Sequence, residues 1–304
     1  MEIRHLKYFL ALAEEQNFTR AAKRLHISQP PLTRQIHQLE EELGTQLFLR
    51  TGKGVTLTQA GQSLMVETAN ILGLLSRSKE RAQMAGRGEL GKIDIGVFGS
   101  AMLNVIPRLL LNFRNLFPEV DIALYNMSRT QQIEALREQR IHIGFNRIIP
   151  AEIDITVETV LNERLVVAVY QVHPLASRQE IHARDLVGQP IILYPRAPRS
   201  GLHDLVINLI RNEGAEPKIV QEVEDLVSSV ALVSAGLGLC VTPESAISLK
   251  LPGVVYVPLI ASIIPYIELN CMYLKGERAP ILNSFLSVVH AFQALEKLNS
   301  GNQA

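Results

Sequence analysis

The stretch "ISQPPLTRQI", residues 27–36, decides how the N-terminal part of the chain folds, because two prolines stand directly before a helical pattern. A proline inside a helix removes a backbone donor and clashes with the preceding turn. In the first turn the amides have no partner within the helix, and the fixed φ of proline suits helical geometry. With Ser28 as N-cap, Gln29, Pro30 and Pro31 occupy that turn. The pattern therefore predicts that a helix begins here.

The predicted helix has two distinct faces. At about 100° per residue, leucine and isoleucine side chains collect on one side and short polar or cationic side chains on the other. The apolar face holds Leu32, Ile36, Leu39 and Leu43, and the opposite face holds Pro30, Thr33, Arg34 and His37. The outer face is therefore polar and, at its N-terminal end, cationic.

Two shorter helices precede it. Apolar residues recur with helical spacing from Leu6 to Ala13 and from Phe18 to Leu25, and Gly44 is a suitable stop for the third helix. The following segment "QLFLRTGKGVTLT", residues 46–58, predicts a β-hairpin with a basic tip. Two helices joined by a short turn form a helix-turn-helix, whose second helix enters the major groove of DNA.

The outer face carries side chains that can read bases. Gln29 can pair with adenine, Arg34 can bind guanine, and Thr33 can contact a thymine methyl group or a phosphate, while Pro30 packs on a sugar or methyl group. Residues 16–39 contain no acid. Phosphate contacts are expected from Arg20, Lys23, Arg24, Arg50 and Lys53. The alternative is a three-helix interaction module whose basic face is merely solvated.

Composition sets the broad class. The chain has 304 residues, 47% of them hydrophobic, which suits two or three domains. Its 30 basic and 30 acidic residues balance, but residues 1–90 hold 12 basic and 9 acidic ones. Acidic residues interrupt the apolar N-terminus, and Gly and Pro interrupt the uncharged stretches 226–243 and 251–267, so we expect a cytoplasmic protein without a membrane segment. Cys240 and Cys271 lack metal-binding spacing, so we expect two buried thiols and no metal.

A long amphipathic helix is predicted from Thr58 to about Ala85. Its apolar stripe, formed by Leu64, Ile71, Leu75 and Ala82, needs a partner, most simply the same helix of a second subunit. The glycines of "GRGELGK", residues 86–92, formally match a dinucleotide-binding fingerprint. A helix precedes them and a strand follows, which is the reverse of what that fingerprint requires. We interpret the segment as a hinge and expect no cofactor.

From Ile93 onward, predicted strands and helices alternate, which indicates parallel sheets covered by helices. Two such α/β lobes are predicted, with a small-molecule site where strand ends meet between them. Ser100 follows the first strand, Ser128, Arg129 and Thr130 follow the second, and Arg147 ends the third. Hydroxyl and guanidinium groups converging at one sheet edge suit an organic anion. The alternative is that both arginines are ordinary surface residues.

Residues 6–61, from "LKYFLALAEEQ" through "SQPPLTRQI" to "TLTQAG", resemble the winged helix-turn-helix of LysR-type transcriptional regulators almost residue for residue. The resemblance covers the whole chain. It implies a winged helix-turn-helix at 1–58, a linker and dimerisation helix with a hinge at 59–87, and an effector-binding domain at 88–304 similar to periplasmic binding proteins. Lobe I of that domain would comprise about 88–162 and 268–304, and lobe II about 163–267.

More narrowly, "SQPPLTRQI", "IHIGFNR", "IILYP" and "ERLVVAV" resemble the branch that senses intermediates of aromatic degradation, such as muconates, chloromuconates or benzoate. In that branch Ser100 and Arg147 match inducer-contacting positions. Arg129 replaces a small hydroxyl residue and Leu202 replaces an aromatic ring, which argues against muconate itself. A second apolar effector pocket in some relatives uses an arginine that would match Arg164.

The resemblance implies the partners as well. We expect a homodimer or homotetramer that binds an inverted-repeat site in double-stranded promoter DNA, bends it and, with its anionic effector, recruits RNA polymerase to an aromatic catabolic operon. One rival is a solute-binding protein, which would need a signal peptide. Another is an enzyme of an aromatic pathway, for which the sequence offers no catalytic set.

Overall fold

The computed structural model describes residues 1–51, 54–194, 201–260, 266–277 and 279–301. The chain divides into two compact units, Met1–Met84 and Ala85–Ala304. No helix in the described ranges is long and apolar enough to cross a membrane.

The N-terminal unit contains three helices, a hairpin and most of a fourth, long helix. These elements are α1 (Ile3–Glu15), α2 (Phe18–Arg24), α3 (Gln29–Leu43), β1 (Phe48–Thr51), β2 (Gly54–Leu57) and α4 (Gln59–Gly86). Asn17 caps α2 by accepting hydrogen bonds from two backbone amides, and Gly44 ends α3 with a φ of 65°. Phe9, Leu12, Leu32, Ile36 and Leu39 lie in the shared core. Leu43 differs from the prediction, because its side chain is 40% exposed at the last turn of α3.

Most of the predicted apolar stripe of the long helix α4 is exposed to solvent. Leu64 packs partly against the core of the N-terminal unit. Ile71, Leu75 and Ala82 are exposed, together with Leu74. Exposed leucine and isoleucine side chains at helical spacing are what an unpaired dimerisation face presents.

The second unit begins as a parallel sheet. Its first elements are β3 (Gly91–Val97), a 3₁₀ helix (Gly99–Leu103), α5 (Val105–Leu116), β4 (Val120–Asn126), α6 (Arg129–Arg137) and β5 (Ile143–Arg147). Strand β3 pairs in parallel with both β4 and β5. The 3₁₀ helix and α5 are separate, because Asn104 between them has a non-helical backbone conformation.

Strand β6 (Ile155–Tyr170) and strand β12 (Tyr266–Leu274) connect two lobes of this unit. The first half of β6 pairs with β12, and from Leu165 onward its partners are β10 and β11. We call the part that contains β3–β5 lobe I and the part beyond this change of partners lobe II. Because β12 runs antiparallel to β5 and β6, the sheets are mixed, not purely parallel.

Lobe II and the C-terminal helix complete the unit. Lobe II contains β7 (Ile181–His182), β8 (Pro190–Leu193), α7 (Leu202–Asn212), β9 (Lys218–Glu222), α8 (Leu226–Ser234), β10 (Cys240–Pro243), a 3₁₀ helix (Glu244–Ser248) and β11 (Val254–Ile260), besides the short 3₁₀ helices Pro174–Ser177 and Ala183–Leu186. The last helix, α9 (Pro280–Gly301), returns to lobe I, where Phe285 packs edge-on against Phe113 with ring centroids 4.9 Å apart. Each lobe thus has its own apolar core.

Candidate nucleic-acid interface and effector site

The prolines occupy the first turn of α3, as the sequence predicts. Helix α3 begins at Gln29, and Ser28 precedes it with the extended backbone of an N-cap residue, at φ −81° and ψ 157°. The prediction for Ser28 needs one correction, because its side chain makes no capping hydrogen bond. The fixed φ angles of Pro30 and Pro31 therefore define the first turn without help from a side-chain cap.

The outer face of α3 is accessible. Gln29, Pro30, Pro31 and Arg34 are exposed, and Thr33 is half-buried. The Thr33 hydroxyl donates to the Gln29 carbonyl over 3.2 Å, and the Thr19 hydroxyl donates to the Gln29 side-chain oxygen over 3.1 Å. These bonds occupy the two oxygens of Gln29, and its side-chain NH₂ group donates to no residue in the described ranges.

Arg34 is the most available cation on this face. Its side chain is exposed and makes no hydrogen bond or ion pair with any residue in the described ranges. An arginine without internal partners keeps all its donors for a ligand, and the guanidinium fork matches two acceptors of guanine or of a phosphate.

The basic run before α3 is less positive than its sequence suggests. The run contains no acid, yet Arg20 and Arg24 lie against Glu14 and Glu15 at the end of α1. Arg24 Nη1 is 2.5 Å from a Glu14 oxygen, and this hydrogen bond raises the pKa of Arg24. Arg20 also donates to the Glu15 carbonyl. Of these predicted phosphate contacts, Lys23 alone is exposed with no bond to another described residue.

The hairpin formed by β1 and β2 is fixed to the helices by contacts that the sequence analysis missed. One Glu40 side-chain oxygen accepts the amides of Leu47 and Phe48, at 2.8 and 3.1 Å. The Gln16 carbonyl accepts the Val55 amide at 3.0 Å. Gln16 is distant in sequence from Val55, whereas Glu40 lies only 7 and 8 residues before the amides that it accepts, and only the recurrence of acids at the end of α3 could have drawn attention to it.

Two basic side chains of the hairpin, those of Arg50 and Lys53, were predicted to contact phosphates. Arg50 is exposed, and its guanidinium carbon lies 5.7 Å from the centre of the Phe18 ring, a cation–π distance. This contact holds Arg50 beside α2, on the side of the hairpin next to the helix-turn-helix. Lys53, the other predicted phosphate contact, lies outside the described residues.

In the second unit, the structure brings Ser100 and Arg147 together. Because β3 and β5 are parallel neighbours, the residues that follow them meet at one edge of the sheet. The Arg147 Nε donates to the Ser100 hydroxyl over 3.2 Å, and Ser100 is 8% exposed. An arginine cannot serve as a general base for the serine, so the pair is suited to binding an anion and not to nucleophilic catalysis.

Glu163 completes this site and was missed by the sequence analysis. Its carboxylate forms an ion pair with Arg147 and accepts the Ser245 amide of lobe II at 3.1 Å. The Glu163 side chain is only 5% exposed and that of Arg147 13%. The positive charge of Arg147 is thus already balanced, while its Nη1 atom is buried with no partner among the described groups.

The residues after β4 surround the same edge. Ser128 caps α6 through a reciprocal pair of hydrogen bonds with Gln131, and Thr130 is exposed. Arg129 turns toward the end of β5, where its Nη1 donates to the Ile148 carbonyl over 2.6 Å. Arg129 is therefore a structural donor at the edge of the site, in contrast to the open cation expected from sequence.

Leu202 and Arg164 lie on other elements than the Ser100–Arg147 pair. Leu202, the first residue of α7, packs partly against the core of lobe II. Arg164 follows Glu163 in β6, so its side chain points to the opposite face of the sheet, where it is exposed. Its position gives no support to a second pocket built around Arg164.

Comparison with known proteins matches both units. Residues 3–62 match the bacterial regulatory helix-turn-helix model of the lysR family, and residues 86–294 match the LysR substrate binding domain. The regulator ClcR of Pseudomonas putida is 38% identical over 289 residues, which cover 95% of this chain and 98% of ClcR.

Solved structures agree in fold. CbnR, a LysR family transcriptional regulator, has a TM-score of 0.89 at 34% identity over 95% of this chain and 100% of its own. The BenM effector binding domain with its effector benzoate has a TM-score of 0.61 at 31% identity, over 68% of this chain and 94% of its own. The chain therefore belongs to the LysR family of helix-turn-helix transcriptional regulators.

Proposed function

We propose that this regulator binds an inverted-repeat site in double-stranded promoter DNA through the N-terminal half of α3. The observation that carries the proposal is Arg34, an exposed arginine with no partner among the described residues, on the outer face of a helix whose first turn is fixed by two prolines. Gln29, Thr33 and Arg34 read bases, and Pro30 and Pro31 pack on the DNA. Ser28 and the cations Arg20, Lys23, Arg50 and Lys53 contact phosphates.

The linker helix α4 pairs two subunits of the regulator symmetrically. Two α4 helices pair through Leu64, Ile71, Leu75 and Ala82 and place two DNA-reading units on the two halves of the site. The protein is a cytoplasmic homodimer or homotetramer, and it acts by binding DNA and recruiting RNA polymerase, not by catalysis. Support comes from CbnR, whose full-length chain has been solved in complex with its target DNA.

The second unit senses a small organic anion, such as a muconate or chloromuconate, and switches on an aromatic catabolic operon. Ser100, Arg147 and the α6 N-terminus, with Ser128, Arg129 and Thr130, form the site, and Leu202 forms its apolar wall. Support comes from the Ser100–Arg147 hydrogen bond at the sheet edge and from the benzoate complex of the BenM domain.

The DNA-binding proposal is tested by gel shift with the full chain at several salt concentrations, on the chain's own promoter region and on random duplex. Replacing Arg34 with alanine should weaken specific binding by about 1–3 kcal/mol and relax the preference at one base position. Lys23→Ala is the matched control, because an exposed phosphate-binding lysine should weaken both DNAs alike. Equal losses on both DNAs for the Arg34 variant would remove Arg34 from base reading.

The effector proposal is tested by calorimetry of cis,cis-muconate, 2-chloromuconate and benzoate against the full chain. At least one of them should bind, and Arg147→Met should lose that binding. Arg211→Met is the control, since Arg211 pairs with Glu216 on the surface of lobe II. Unchanged affinity in the Arg147 variant would exclude Arg147 from the site.

A further inference from the structure

The backbone turns abruptly at Ile148, directly after Arg147. Ile148 has a φ of +50°, a left-handed conformation that β-branched residues rarely adopt. The other non-glycine residues with positive φ in the described ranges are Gln16, His26 and Gln139, none of them β-branched. Such a conformation persists only where the surroundings enforce it.

The turn sends two neighbouring side chains into different lobes. Ile148 packs against the core of lobe II, which includes Leu165 and Ile267. Ile149 packs against a cluster in lobe I with Leu136 and Met272. Two consecutive residues thus fasten the end of β5 to both lobes.

A second contact holds the turn from lobe I. Arg129, the first residue of α6, donates to the Ile148 carbonyl over 2.6 Å. A cation at the N-terminal end of a helix is electrostatically unfavourable, so this position needs a compensating acceptor. The Ile148 carbonyl, which the left-handed turn exposes to Arg129, supplies it.

The turn is directly linked to the effector site. Arg147 contacts Ser100 in lobe I and Glu163, and Glu163 in turn accepts the Ser245 amide of lobe II. A displacement of lobe II pulls on Ile148 through its apolar contacts, and Ile148 is bonded covalently to Arg147. The position of Arg147 and the arrangement of the lobes are therefore mechanically coupled.

We infer that Ile148 is a positioning residue, which holds Arg147 in the site and transmits changes in that site to the arrangement of the two lobes. The coupling is reciprocal: a ligand that prefers one position of Arg147 must favour one arrangement of the lobes. The inference rests on the proposed function only in treating the surroundings of Arg147 as the effector site.

The test measures the distance between the lobes by pulsed electron spin resonance on the full chain. Spin labels are attached at Asn115→Cys on lobe I and at Val172→Cys on lobe II, both exposed positions. Cys240 and Cys271 are buried and stay unlabelled. Labelled chains are diluted with unlabelled chains, so that each measured pair lies within one protomer.

Ile148→Ala should broaden the distance distribution at least twofold, because alanine loses the contact with lobe II. Ile148→Val keeps most of that contact and should restore the narrow distribution. Val255→Ala is the matched control, because it removes another side chain packed against the lobe II core without linking the lobes. An Ile148→Ala distribution equal to that of the parent would overturn the inference.

A second variant leaves the core intact. Arg129→Gln removes the guanidinium donor to the Ile148 carbonyl and should also broaden the distribution, whereas Arg140→Gln, which removes a surface pair with Glu138, should not. Equal distributions for these two variants would count against the inference even if Ile148→Ala failed to fold. The distance measurement uses neither DNA nor effector, so unchanged distances would overturn the role of Ile148 without affecting the proposed function. Failure of the effector titrations would overturn the proposed effector site without affecting the distance measurement.

Discussion

Replacing Glu163 with glutamine removes the charge that balances Arg147 inside the second unit. The two side chains are 5% and 13% exposed, so water can screen the remaining guanidinium only weakly. Breaking a buried ion pair by removing one partner costs about 3–5 kcal/mol. Glutamine can still accept one hydrogen bond from Arg147 or from the Ser245 amide. We therefore expect the free energy of unfolding to fall by about 3 kcal/mol, the lower end of that range.

The assay is differential scanning calorimetry of the full chain at pH 7. At about 2–4 °C per kcal/mol for a domain of this size, the transition of the second unit should fall by about 6–12 °C. Glu216→Gln is the control, because Glu216 and its partner Arg211 are 75% and 55% exposed. Such a surface pair contributes about 0–1 kcal/mol, so its transition should hardly move.

A double variant separates charge from packing. In Arg147→Met with Glu163→Leu, neither charge remains, and apolar replacement of a buried pair is often neutral or stabilising. The double variant should therefore unfold at a higher temperature than Glu163→Gln alone. The reasoning is refuted if Glu163→Gln unfolds at the same temperature as the Glu216 control, since the pair would then contribute no more than a solvated one.

Two further predictions concern the stability of the hairpin and the decrease of stability at acidic pH. Gly54 has a φ of +137°, and a Cβ there would lie 2.6 Å from the Gln16 carbonyl oxygen, so Gly54→Ala should destabilise the N-terminal unit by about 2–3 kcal/mol in urea. Gly44→Ala, at a positive φ with open space around it, should cost only about 1 kcal/mol, and equal losses would contradict the clash. Burial raises the pKa of Glu158, but hydrogen bonds from Tyr273 and His290 outweigh it and hold that pKa below its usual value. This stabilisation is complete above the unfolded pKa, about 4.3, and is lost as the pH falls through the lower folded value. In Tyr273→Phe, the urea concentration at the midpoint of unfolding should therefore decrease less between pH 5 and pH 3 than in the parent. An equal decrease in both proteins would show that Tyr273 does not lower the pKa of Glu158.

Much of the DNA-reading unit was predictable, because its signals are local. The apolar spacing of the three helices, Gly44 as a stop and two prolines in a first turn each depend on residues within one turn of one another. The meeting of Ser100 with Arg147 also followed from sequence, because the ends of neighbouring parallel strands share an edge. The roles of these residues in binding DNA and effector stay predictions.

Charge balance could not be predicted in the same way. The acid-free run before α3 looked uniformly basic, yet α1 folds back and places Glu14 and Glu15 beside two of its arginines. Arg147 looked like an open cation, yet β6 brings Glu163 to it from 16 residues further along the chain. Electrostatic pairing depends on distances in space, and a helical or strand period carries no information about which elements approach each other.

By itself, the sequence determined most of the N-terminal elements, most of their buried faces and the family to which the chain belongs, because backbone geometry and apolar spacing act over a few residues. Only the tertiary structure decided which cations remain available. Arg34 stays open on α3, whereas Arg147 is held by Glu163, and Arg129 is used to stabilise the strained turn at Ile148. These outcomes come from contacts between lobes and between non-neighbouring strands, whose geometry exists only once the chain has folded.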